Sequence, residues 1–145
     1  MNALSHTAQR QTLTASRLRM HADFVRAYAA GRKRQSATMS WFLAPQLLDA
    51  GNTPRAGRIG LTVGKVLGKS HQRNRIKRRM REALRRHVDL MPRGFDLILH
   101  PRSGVLTLEF VKLEAEIVRI LQQAATEALR TSNEPVQPAH AGSIL

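Results

Sequence analysis

The stretch Arg73-Asn74-Arg75-Ile76-Lys77-Arg78-Arg79-Met80-Arg81-Glu82-Ala83 holds the densest set of reactive or charged side chains in the chain. Cations at this spacing suit the neutralisation of phosphates, because each releases condensed counterion when it meets a nucleic-acid backbone, and Asn74 adds a neutral donor and acceptor. The competing reading is a solvated helix face with Glu82 paired to Arg78 and Arg86. Such pairs are worth about 0.2–0.5 kcal/mol each, too little to offset so many like charges at i, i+3 and i+4. From Arg55 to Arg86 twelve cations face the single acid Glu82, whereas from Asp89 onward seven acids outnumber five cations. The whole chain, 145 residues with 24 Lys plus Arg against 10 Asp plus Glu, carries a formal charge of +14. Charge polarised in this way points to a positioned polyanion site rather than a uniformly basic surface.

Other chemistries find less support. Gly64-Lys65-Val66-Leu67-Gly68-Lys69-Ser70 follows an expected strand and precedes an expected helix, where a phosphate-binding P-loop would sit. Only three residues separate its glycines, one fewer than that loop needs to curl around a β-phosphate. The six histidines lack the close helical pairing that builds a metal site, and the basic segment has one carboxylate where a metal-dependent nuclease needs several. With no cysteine, disulfide scaffolds, thiol catalysis and thiolate zinc sites are excluded, and a reducing compartment is suited. No apolar run approaches the roughly 20 residues that cross a bilayer. Phe24 and Tyr28 stand at i and i+4, and Phe42 alternates away from Met39, Trp41 and Leu43. Such rings can stack unpaired bases or simply fill a core, and the residues alone leave both readings open.

These side chains need a scaffold. Residues 1–16 read as a basic arm, with Arg10 and no acid, and residues 131–145 as a tail without packing periodicity. Between them residues 17–130 form one domain. Phe24, Val25 and Tyr28 predict a short helix over 21–30, and alternation predicts strands over 36–44, 59–63 and 95–99. A helix is expected from Ser70, as N-cap, to about His87, burying Ile76, Met80, Ala83 and Leu84. At 100° per residue that stripe leaves Asn74, Arg78, Arg81, Glu82 and Arg85 opposite, with Arg75 and Lys77 on the shoulders. A second long helix follows Thr107, a candidate cap; its stripe runs from Phe110 to Ala124, and Lys112, Glu114, Glu116 and Arg119 are expected to be solvated. The fold class is α+β: a small domain with helices packed on one face of a roughly four-stranded sheet, the basic helix able to join a parallel pair.

Gly60-Leu61-Thr62-Val63-Gly64-Lys65, then Gly68-Lys69 and Arg73-Asn74-Arg75-Ile76-Lys77-Arg78 with Arg81, closely resembles the signature of the bacterial ribonuclease P protein family. Leu18-Arg19 before Asp23-Phe24, Gly31-Arg32, the strand between Gly94 and Pro101, and the closing helix match in order, so the resemblance spans residues 17 to 125. Two positions depart from the usual pattern: Val66, where members commonly have a second cation, and Gly64, where they have Ser.

The resemblance implies a left-handed strand-helix-strand crossover, against the right-handed rule. It also implies a protein subunit that binds a catalytic RNA and assists Mg²⁺-dependent removal of the 5′ leader from precursor tRNA, the RNA supplying the active site. Lys65, Lys69, Arg73, Asn74, Arg75, Lys77, Arg78, Arg81 and Arg85 would then contact RNA, and Phe24, Tyr28 and Phe42 would hold the leader. No catalytic or metal-binding side chain, no protein partner and no membrane are implied, and the compartment is the bacterial cytoplasm. The alternative is a ribosomal or general RNA-binding protein without a catalytic RNA; a duplex-DNA binder is disfavoured because no helix-turn-helix or dimer pattern is present.

Overall fold

The computed structural model describes residues 12–47 and 55–133. Its elements, in chain order, are α1 (His21–Ala30), β1 (Arg32–Gln35), β2 (Met39–Pro45), β3 (Arg58–Leu61), α2 (Ser70–Arg85), β4 (Phe95–Pro101) and α3 (Phe110–Asn133). Three single 3₁₀ turns, Lys65–Leu67, Val88–Leu90 and Ser103–Leu106, link them. The four strands form one mixed sheet in the order β1-β2-β4-β3, in which β1–β2 and β2–β4 are antiparallel and β3–β4 parallel. The parallel pair is joined through α2.

Strand alternation divides the sheet into two apolar faces. Met39 and Trp41 of β2, Ile59 of β3, and Leu97 and Leu99 of β4 enter the larger core with Ile76, Met80, Ala83 and Leu84 of α2 and Leu113, Ile117 and Leu121 of α3. Each large side chain buried there is worth roughly 1.5–3 kcal/mol relative to exposure, and this docks a helix as charged as α2. Ala44 of β2 and Ile98 of β4 turn the other way and meet Leu18 and Ala27, with Phe24, Tyr28 and Phe42 packed around them.

The α+β class, the four-stranded size of the sheet and the stripe on α2 are as expected, whereas β1 (Arg32–Gln35) is not among the three strands expected from alternation. The expectation that the helices share one face is corrected: α2 and α3 do, but α1 covers the opposite face, because Ile98 and Ala44 give that side an apolar patch of its own. The strand expected over 36–44 is β2 and begins at Met39 rather than residue 36, since Ser36–Thr38 make the turn that pairs β1 with β2. Glu116 is not solvated: only 2% exposed, it accepts hydrogen bonds from Thr38 N (2.8 Å), Thr38 Oγ1 (2.7 Å) and Ser36 Oγ, pinning this turn to α3.

Helix starts also differ. Ser70 is the first residue of α2 and Lys69 the N-cap, its N–H donating to Gln72 Oε1 at 2.9 Å. Thr107 closes the Ser103–Leu106 turn, and the Glu109 carbonyl accepts the first bonds of α3. At the chain ends, Leu13 packs on the larger core and Ser16 is buried, so ordered structure begins before residue 17, and α3 continues through residues 131–133. The rest of the expected arm and tail, and residues 48–54, lie outside the described residues.

Candidate nucleic-acid interface

Docking through Ile76, Met80, Ala83 and Leu84 turns the opposite side of α2 outward. Asn74, Arg75, Arg78, Arg81 and Arg85 are exposed, and Arg73 and Lys77 are half-buried at its margins. Lys65 and Lys69 are exposed at the turn leading into its N-terminus. That turn depends on Gly68, whose φ of +121° disfavours any side chain and whose added Cβ would stand 2.3 Å from Gln72 Oε1. Gly64 carries no such constraint, and the neighbouring Val66 is 92% exposed.

The nine cationic or amide residues therefore lie on one helix and its entry turn, but they are not equally available. Arg73 Nε donates to Gly68 O at 3.2 Å. Arg85 forks onto Glu82 (Nη2–Oε2 2.6 Å), and Arg86 reaches the same carboxylate at 3.2 Å. The hydrogen bond and charge of Arg85, then the charge of Arg86, hold the Glu82 carboxyl below its ordinary range. Glu82 thus pairs with Arg85 and Arg86 and not with Arg78. Arg75, Arg78 and Arg81 make no ion pair with any described residue. Arg79 serves the fold: Nε donates to Val105 O at 2.9 Å and Nη2 to Leu108 O, tying α2 to the segment before α3. Its place beside Ile76 and Met80 on the helical wheel is the sequence signal that separates it from its neighbours.

On the other face of the sheet the three aromatic residues come together. Tyr28 meets Phe42 edge-on with centroids 5.0 Å apart, and Phe24 lies 6.5 Å from Tyr28. Phe24 reaches the sheet only because residue 60 is glycine; a Cβ there would stand 2.7 Å from its ring. His100, which its spacing in the sequence did not link to these rings, completes the group. Its Nε2 is 2.7 Å from Tyr28 Oη, which also lies 3.3 Å from Thr62 Oγ1, and its ring is 5.8 Å from Phe42. Burial, and then the charge of Lys33, lower the His100 pKa below the ordinary histidine value, so the ring is neutral near pH 7.

An ionic cluster, also missed in the sequence, holds α1 over this face. Asp96, 1% exposed on β4, accepts from Arg58 Nε at 2.9 Å and Nη2 at 2.8 Å, from Gln46 Nε2 at 3.1 Å, and from Arg26 at 3.4 Å. Asp23 on α1 accepts from Arg58 at 3.1 Å and Arg26 at 2.9 Å. The carboxylates, Asp96 foremost, raise the Arg58 pKa above its already high ordinary value. A lone acid in the apolar run Phe95–Leu99 was the available signal. Because both carboxylates are engaged by guanidinium groups, this pair does not suit a divalent cation, and among the described residues no three His, Cys, Asp or Glu side chains cluster.

The Ribonuclease P family model matches residues 13–125. This chain belongs to the ribonuclease P protein family. It is 37% identical over 131 residues to the ribonuclease P protein component of Chloroflexus aggregans, covering 90% of this chain and 92% of that one. With the Thermotoga maritima component it shares 32% over 103 residues, 71% of this chain and 82% of that one. The solved RNase P protein from Thermotoga maritima superposes with a TM-score of 0.61 at 25% identity, over 74% of this chain and 96% of that structure. The chain is thus the protein subunit of the ribonuclease P endoribonuclease holoenzyme, a tRNA-processing ribonucleoprotein, and it associates with an RNA subunit. Nothing in these relationships supports the ribosomal or general RNA-binding alternative. Among the described residues no helix is long and apolar enough to cross a membrane.

Proposed function

We propose that the outer face of α2, with Lys65 and Lys69, binds the RNA subunit, and that Phe24, Tyr28 and Phe42 hold the 5′ leader of precursor tRNA. The observation that carries this is the contrast within one helix. Arg79 is engaged by backbone carbonyls, while Arg75, Arg78 and Arg81 project outward without a counter-ion among the described residues. Such a face is stabilised by an external polyanion. The aromatic group, on the opposite side of the sheet, offers rings to unpaired bases without reading their sequence. In this reading the RNA holds the Mg²⁺ that cleaves the leader, the protein contributes binding and orientation, and the compartment is the bacterial cytoplasm.

The test is affinity in the assembled holoenzyme. Phe42→Ala should weaken precursor tRNA about five-fold to a hundred-fold relative to mature tRNA, because only the precursor has a leader to stack. Arg78→Ala should instead weaken assembly with the RNA subunit and reduce the salt slope of binding by about one. Equal weakening of both tRNAs by a folded, assembled Phe42 variant would return the rings to a purely structural role.

A further inference from the structure

At the β3 edge of the sheet, α2 and the segment Leu13–Arg19 enclose a cleft of about 510 Å³. That is within the roughly 300–1,000 Å³ of small-ligand sites. Ile59, Leu61, Leu84 and the ring of Phe24 give it apolar walls, while Arg17, Arg19, Lys77 and Arg81 stand around it. Arg17, Lys77 and Arg81 make no ion pair with any described residue, and Arg19 spends one N–H on Thr14 O at 3.1 Å.

The sheet edge supplies a third element. Ile59 N donates to Ser16 O at 2.7 Å and Leu18 N to Ile59 O at 2.8 Å, so residues 16–18 cover the edge at that point. Strand alternation turns the N–H and C=O of Leu61 toward the same edge. There no described backbone group pairs with them. An apolar wall, an open backbone donor and acceptor, and cations on two sides match the parts of one ligand class: a planar base, its polar edge and its phosphates.

We propose that this cleft takes one unpaired nucleotide of an RNA strand, its base against Leu61 and Phe24 and its flanking phosphates on Lys77 and Arg81 to one side and Arg17 and Arg19 to the other. Helix α2 then does more than neutralise a backbone. Its Lys77–Arg81 flank orients a base that has left its stack, and Phe24 is shared between this cleft and the aromatic group around Tyr28. The inference rests on the reading of α2 as the RNA-binding helix.

The test titrates the isotope-labelled full chain with adenosine 5′-monophosphate and, separately, with inorganic phosphate. Adenosine monophosphate should shift the amides of Leu18, Leu61 and Lys77 saturably, and phosphate should leave Leu61 unmoved. Identical shifts from both would reduce the cleft to an anion site and overturn the proposal. Leu61→Trp, which fills the cleft without removing a charge, should abolish those shifts and weaken the RNA subunit about ten-fold with the salt slope unchanged. An RNA affinity equal to wild type would overturn it. Saturating RNA subunit should displace the mononucleotide; its retention in the holoenzyme would assign the cleft to a free nucleotide instead. If Leu61→Trp does not fold, the wild-type titration and the displacement decide. Arg78→Ala, outside the cleft, separates the two readings. RNA affinity unaffected by that change, with the mononucleotide shifts intact, would refute the role of α2 and leave a nucleotide cleft of another purpose.

Discussion

Replacing Asp96 with Asn removes a charge from the most enclosed ionic group among the described residues while keeping its shape. The carboxylate is 1% exposed and receives two hydrogen bonds from Arg58, at 2.8 and 2.9 Å, and one from Gln46 at 3.1 Å. Breaking a fully buried pair by removing one partner costs about 3–5 kcal/mol. The arginines here are less enclosed: the side chains of Arg58 and Arg26 are 21% and 27% exposed, and both keep Asp23, at 3.1 and 2.9 Å. Water and Asp23 recover part of the loss, so about 2–3 kcal/mol is expected. For a chain of this size that lowers Tm by about 6–12 °C. Circular dichroism melting of both proteins reads the shift directly. Asp23→Asn should cost less, since Asp23 is 17% exposed and has one contact from each arginine. The cluster grips α1, so Asp96→Asn should also weaken precursor tRNA more than mature tRNA in the holoenzyme. A Tm within about 2 °C of wild type would refute the assigned energetic role.

Met80→Asp places a carboxylate at a fully buried position of the α2 stripe and should cost several kcal/mol, about enough to unfold a marginal domain; a wild-type melting profile would show that the stripe is misassigned. Glu82→Gln releases Arg85 and Arg86 from their shared carboxylate and should tighten the RNA subunit at low salt while steepening the salt slope by about one; weaker binding would count against the outward face as the RNA contact. Because His100 has a lowered pKa in the folded protein, the unfolded chain binds the proton more readily. Its contribution to stability is present above the ordinary histidine value and is lost as pH falls through that value toward the folded one. His100→Gln should therefore flatten the dependence of unfolding free energy on pH as pH falls below the ordinary histidine value; unchanged slopes would contradict the buried, neutral assignment.

The charged helix was legible because two patterns coincide in it: an apolar stripe at i, i+4, i+7 and i+8 and a cationic remainder. Strands β2, β3 and β4 were legible from alternation. By contrast β1, Arg32-Lys33-Arg34-Gln35, has no apolar residue to alternate; it is an edge strand held by its pairing with β2. The side of the sheet that α1 would choose was not visible either, since an apolar helix pattern says what is buried and not against which face. Glu116 looked solvated because periodicity carries no information about a turn 78 residues away that needs acceptors. The aromatic trio was found by spacing, but His100 joins it through a contact 72 residues apart in sequence.

The strand order β1-β2-β4-β3 places the last strand made between two made earlier. As the chain leaves the ribosome, β2 and β3 have no common partner until residues 95–101 follow. Until then the stripe of α2 has only part of its floor, and Tyr28 lacks His100. Assembly from such distant segments is slow and exposes apolar surface while it waits. It also ties the two surfaces together: a product ending before β4 would hold every cation of α2 and every ring of the aromatic trio, yet only the β1–β2 hairpin, with β3 unjoined to it. The two surfaces are thus delivered together, by the strand that separates them.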